Sequence, residues 1–294
     1  MSQKTLRIIN GLCMTIHGGL CILWIKKKND NYIIPQDLKI YTNSIQNIDG
    51  TVQTVIKEKP DSLVKFDLRD LLILFFGITS LTHAFYLASS YNNFPIIGGI
   101  YNKMIENRNN FVRWIEYSIT ATLMINIVAR SAGVNNEDTL ILTNLATAAV
   151  MLQGQSIELA LKEKPSSAKI QQLVIYNLVG WGLMLGIFGI IISRFNQTIS
   201  EIKKATCANI PDFVKYVIYS QFIFYNLFGA WQLYQIFSVY DNPDYDYTKF
   251  EIGYTVLSLL SKSILGFILG FGIDQSANRD NNQVTYPTKC ENVQ

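Results

Sequence analysis

Lys262 is the residue from which a functional reading starts. It stands near the middle of 252–273, IGYTVLSLLSKSILGFILGFGI, a run long enough to cross a bilayer as a helix and otherwise free of charge. A lysine at that depth costs about 2.5–3.5 kcal/mol on insertion scales, so such residues mark functional sites by default. An amine held out of water is available in its neutral form to attack an aldehyde, and the protonated imine that results needs an anion beside it. Glu116 is the carboxylate that lies clearly inside another apolar run, so the simplest arrangement pairs the two. The pair has two readings: a structural ion pair locking two helices, or an imine-forming lysine with its counterion.

Other polar residues fall inside apolar runs as well: His17, His83, Arg113, Gln153, Gln155, Glu158, Gln221, Asn226, Gln232 and the serines Ser258, Ser261 and Ser263. The chain has only two histidines, and both are in this group. Each reads either as a packed ring bonded to a neighbouring carbonyl or as a proton-holding group. Arg113 and Glu158 lie near the ends of their runs, where long side chains can snorkel to water. Glu158 is thus a helix-end glutamate beside Lys162 on the i+4 surface, or else a polar station on an ion path.

These residues are positioned by seven apolar segments: 8–25, 68–90, 111–132, 138–161, 171–195, 212–240 and 251–273. They are too long and too continuously apolar to be barrel strands, and backbone in lipid must satisfy its own hydrogen bonds. The fold class is therefore an all-α integral membrane protein, a seven-transmembrane-helix bundle spanning residues 1–273, with 274–294 as a polar tail. Residues 26–67 form a long extramembrane first loop. Its alternating segments YIIPQDLKIY and DGTVQTVIKE read as short strands, a β-containing loop.

Composition agrees. The chain is 49% hydrophobic and only 16% charged, whereas an ordinary soluble domain carries about 25% charge. A mean hydropathy of +0.18 is modest because the loop and tail dilute the apolar runs. A net charge of +3, dispersed along the chain, gives no reason to expect a nucleic-acid partner. Cys13 and Cys21 read as packed in the first span, and Cys207 and Cys290 as loop cysteines on one side that are able to pair. Lys4 and Arg7 precede the first apolar run, but no small-residue cleavage site follows, so that run is read as an uncleaved span.

A lysine at mid-depth in the last of seven helices is the arrangement of retinal proteins, and Tyr117, Phe222, Phe224, Tyr225, Trp231 and Tyr234 are available to wall a polyene pocket. The chain resembles a heliorhodopsin over essentially its full length. Arg113-Trp114-Ile115-Glu116-Tyr117-Ser118, followed by Thr120-Ala121-Thr122-Leu123-Met124, looks like that family's helix-three signature. Ser258 with Ser261-Lys262-Ser263 looks like its retinal-lysine motif. The resemblance implies a non-enzymatic photoreceptor that binds all-trans retinal as a protonated Schiff base on Lys262, with Glu116 as sole counterion. Ser258, Trp114, Tyr117, Thr120, Tyr225 and Asn226 are the further expected cofactor contacts. His17 and His83 match the two histidines that the family places in a polar cluster near the counterion.

Proton pumps of this architecture carry an acceptor acid on the third helix, a threonine one turn on, a donor acid further along, and an aspartate four residues before the lysine. Here these positions hold Glu116, Thr120, Ile127 and Ser258. With one counterion acid and no internal donor, a slow-photocycle sensor is expected and not a classical pump. The alternatives are a light-gated passive proton or cation channel using Glu158, and a retinal-free bundle with a structural Lys262–Glu116 pair. Gly182 and Gly186, extended by Gly180 and Gly189, form a small-residue face, while Gly266 and Gly270 read as close packing inside the bundle. The glycine face serves packing within the monomer or, as the resemblance implies, a homodimer through the fourth and fifth spans and the first loop. The expected surroundings are the lipid bilayer and an unidentified signalling partner. The resemblance places the N-terminus in the cytoplasm and the C-terminus outside. The flanking lysines and arginines lean slightly the other way, although the long first loop weakens that rule.

Overall fold

The computed structural model describes residues 3–29, 41–48, 51–58, 67–162, 165–206, 211–242 and 244–281. Eight helices and one hairpin lie among them. They are α1 (Gln3–Asn29), β1 (Tyr41–Ile48), β2 (Thr51–Glu58), α2 (Leu68–Ser89), α3 (Ile100–Glu106), α4 (Phe111–Ser131), α5 (Glu137–Ala160), α6 (Ser167–Thr206), α7 (Asp212–Asp241) and α8 (Tyr247–Asn281). The strands are antiparallel, Tyr41 opposite Glu58 and Ile48 opposite Thr51. Both strands belong to the segment between α1 and α2, and the described hairpin begins where the first alternating sequence segment ends.

Local chemistry sets the helix boundaries. Asp67, Asn110 and Asn136 cap α2, α4 and α5, each accepting from a backbone N–H of the first turn. At the far end of α4, Gly133 has φ of 89°; its N–H donates to the Arg130 carbonyl and the Val134 N–H donates to that of Ala129. This left-handed closure suits glycine, and here a side chain would also strike Thr198.

Consecutive long helices are neighbours, and α8 returns to α1 and closes the ring, with α4 also touching α7 across the middle. Short connections and the need of each helix for a packed face favour this order. Five helices are long and apolar enough to cross a membrane: α1, α2, α5, α6 and α8. The other two long helices, α4 and α7, are less apolar because α4 carries Arg113, Glu116 and Arg130 and α7 is rich in tyrosine and glutamine.

Burial is distributed as lipid demands. Leu81, Phe271, Ile22 and Leu142 are each at least 66% exposed on the outer surface, while Lys262, Glu116, Arg113, Glu158 and both histidines are buried. A soluble domain would reverse that pattern. The chain is an integral membrane protein. α6 and α8 overrun their apolar segments, and α8 continues past residue 273 to Asn281. Asp274 on that extension pairs with Lys27 at the end of α1. Cys207 and Cys290, and with them any pairing between the two, lie outside the described residues, as does the tail from 282 onward.

Candidate functional site

Lys262 on α8, Glu116 on α4 and Thr79 on α2 meet in the middle of the bundle, all at most 4% exposed. The Lys262 ammonium forms an ion pair and hydrogen bond with Glu116 Oε1 and donates to Thr79 Oγ1 at 2.9 Å. Thr79 in turn donates to the same carboxylate oxygen at 2.9 Å. The ammonium also lies over the rings of Tyr117 and Phe75, 5.3 and 5.6 Å from their centroids. A buried ion pair survives only when its remaining hydrogen-bonding capacity is met, and Thr79 meets part of it. Thr79 was not among the residues singled out from the sequence. A threonine in an apolar helix can satisfy itself on its own backbone and so carries no cost to notice.

Lys262 borders a mostly apolar cavity between α4, α5, α6, α7 and α8. Of the expected contacts, Trp114, Tyr117, Thr120, Tyr225, Ser258 and Lys262 line it. Trp114 stands edge-on to Tyr254 at 5.7 Å and Tyr117 edge-on to Phe228 at 5.7 Å, making one aromatic wall. Tyr225 donates to the Ala121 carbonyl at 3.0 Å, so its ring is fixed across the gap between α7 and α4. Gly154 and Gly180 leave room in the opposite wall: a Cβ at Gly154 would enter the Trp114 ring, and one at Gly180 would come within 2.8 Å of Gln153.

Several expected positions differ. Asn226 does not line the cavity; it accepts from Trp181 Nε1 at 2.7 Å, and Trp181 is the ring that reaches the cavity. Phe222, Phe224, Trp231 and Tyr234 are also outside the wall, and Phe228, Trp181 and Tyr254 take their place. Tyr234 is 44% exposed and Trp231 packs on Phe250. Gly270 has no atom within 4 Å of an added Cβ, whereas Gly266 sits against Phe76 and Leu20, so only the second serves close packing inside the bundle.

His17 and His83 stack with ring centroids 6.3 Å apart, and His17 also stacks on Phe76 at 6.1 Å. His83 Nδ1 lies 2.7 Å from Asn10 Oδ1. Neither ring nitrogen of His17 has a protein partner, although the ring is completely buried.

The largest departure concerns Arg113 and Glu158. Neither snorkels: they are 3% and 0% exposed and form an ion pair with each other. Arg113 also pairs with Glu251 of α8, 1% exposed. Glu158 accepts from the Asn110 backbone N–H and from the Tyr247 hydroxyl, both at 2.8 Å. Glu251 accepts from Asn110 Nδ2 at 2.7 Å and from the Tyr101 hydroxyl at 3.1 Å. Glu251, Tyr247 and Tyr101 escaped the sequence reading because they stand at or beyond the edges of the apolar runs. The i,i+4 spacing of Tyr247 and Glu251 on one helix face was the available signal.

No curated protein matches the chain. The heliorhodopsin family model matches residues 6–273, spanning α1 through most of α8 and taking in both buried charge clusters. The chain belongs to the heliorhodopsin family, one of retinal-binding, light-sensing membrane proteins.

Proposed function

We propose that this protein is a photoreceptor in which Lys262 carries all-trans retinal as a protonated Schiff base, with Glu116 as the single carboxylate counterion. The observation that carries the reading is the Lys262–Glu116 pair at the edge of an aromatic cavity in the bundle centre. Retinal supplies the light absorption and the isomerisation. The chain supplies an amine, one anion held by Thr79, and walls that fix a flat apolar ligand. Trp114, Tyr117 and Tyr225 bound the ligand, while Asn226 acts through Trp181. Ser258 lies one turn before the lysine.

The output we propose is sensing and not classical pumping. Ile127 is fully buried where a pump would hold its internal donor, and Ser258 stands where it would hold a second acid. His17 and His83 are the groups we assign to hold a proton released toward the interior. A passive channel is the second reading, favoured by the buried charges of Arg113, Glu158 and Glu251 between α4, α5 and α8. We further propose a homodimer through α5, α6 and the hairpin, supported by the open outer face at Gly182, Gly186 and Gly189. The N-terminus is assigned to the cytoplasm, where an accessibility tag at each terminus tests it; a signalling partner is part of the sensor reading.

The deciding experiment adds all-trans retinal to the purified protein and records photocurrents in voltage-clamped cells. Wild type is expected to form a pigment and Glu116→Gln to shift its absorption. A colourless wild type refutes the Schiff-base reading, and an unchanged Glu116→Gln spectrum removes Glu116 as counterion. A passive current that reverses with the ion gradient supports the channel, and a silent membrane supports the sensor.

A further inference from the structure

The cluster around Arg113 does not balance its charge. Arg113 is the cation in ion-pair contact with Glu158 and with Glu251, and all three side chains are at most 3% exposed. With both carboxyls ionised, the cluster would bury a net negative charge, which is unfavourable even after relaxation. Two carboxylates that share a site relieve that cost by keeping one proton between them.

The surroundings accept either arrangement. Among the described residues, the ionisable side chains set around the two carboxyls are Arg113, Tyr86, Tyr101, Tyr117, Tyr245, Tyr247 and Tyr254, and of these only Arg113 is charged near neutrality. At the edge, Arg108 lies over the ring of Tyr245, 4.8 Å from its centroid. The Tyr247 hydroxyl lies 2.8 Å from Glu158 Oε1 and 3.5 Å from Glu251 Oε2, so it touches both acids. The Tyr101 hydroxyl, 3.1 Å from Glu251 Oε1, can rotate to donate to an ionised carboxylate or accept from a protonated one. Tyr101 is also bonded to Asn10 at 3.4 Å, and Asn10 to His83 at 2.7 Å. The cluster is therefore joined through two side chains to the histidine pair beside Lys262.

We propose that Glu158 and Glu251 share one proton across Arg113, making this cluster a second proton-holding site, hydrogen-bonded through Tyr101 and Asn10 to His83. The stored proton needs no retinal; only its use in a light response rests on the photoreceptor reading above.

The test is solid-state carbon-13 NMR of the full chain in lipid bilayers with the glutamate side-chain carboxyls labelled, measured near neutral pH with and without retinal. Wild type is expected to show one protonated glutamate carboxyl in both samples. That signal should disappear in Glu158→Gln or Glu251→Gln and survive in Glu116→Gln. A wild-type spectrum with every glutamate ionised overturns the proposal, and this result needs no variant to fold. Loss of the signal in Glu116→Gln alone overturns it too, by assigning the proton to the lysine's partner. A retinal-free sample that keeps the signal separates this site from the pigment reading, so either can fail alone.

Discussion

Gly154→Ala isolates the cavity from the rest of the bundle. An added methyl at Gly154 would overlap Trp114 Cζ3 and Cη2 and approach Cε3 at 2.9 Å. The indole cannot move backward, because it stands against Tyr254 at 5.7 Å and Tyr117 at 6.1 Å and under the Arg113 guanidinium at 5.1 Å. It is left to turn into the cavity that both residues line. In the ligand-free protein that space absorbs the shift. With retinal bound, the same shift becomes overpacking, which typically costs about 1–3 kcal/mol. At about 1.4 kcal/mol per tenfold, retinal affinity should fall roughly 5- to 150-fold while the ligand-free melting temperature stays close to wild type. The assay titrates apoprotein with all-trans retinal and follows visible absorbance beside a thermal melt. Gly19→Ala, where no atom lies within 4 Å of the new methyl, is the control and should change neither. Unchanged retinal affinity in a folded Gly154→Ala protein would refute the placement of the cofactor against Trp114.

Further outcomes follow from the same contacts. Thr79→Val keeps the shape but removes the hydroxyl that serves both Lys262 and Glu116, so the protein should lose about 1–3 kcal/mol of stability in a thermal or denaturant melt. Arg113→Gln leaves two acids without a cation and should cost about 3–5 kcal/mol, read as a large drop in melting temperature; a wild-type melt would mean that the cluster is not buried as described. Asp67→Ala removes the cap of α2, whose carboxylate accepts the Arg69 backbone N–H at 2.7 Å, and should cost about 0.5–2 kcal/mol. Hydrogen bonds from Arg69 hold the Asp67 carboxyl below its ordinary value of 3.8. Its contribution is therefore present above that value and is lost as pH falls through the lowered folded value, so wild type and Asp67→Ala should converge in stability in strong acid.

The sequence was most legible where a residue type conflicts with its surroundings. A lysine, a glutamate and two histidines in apolar runs stand out because each costs free energy in lipid, and the structure buries all four in the bundle. Length and apolarity likewise define the seven long helices, since only helices satisfy their own backbone through that thickness. The sequence left open which neighbour each helix face would meet. Along α7 aromatic residues recur throughout, so nothing distinguishes Tyr225 and Phe228, which wall the cavity, from Phe224 and Trp231, which do not. Arg113 and Glu158 looked like helix ends near water until packing of α3 and α8 over them supplied Tyr101, Tyr247 and Glu251. Thr79 and Glu251 became visible only once α2 and α8 were set against α4. Sequence alone determined that charge would be buried in the bundle and that Lys262 and Glu116 would carry part of it. Tertiary structure decided the partners, because an ion pair in lipid depends on distances between helices that no single helix encodes.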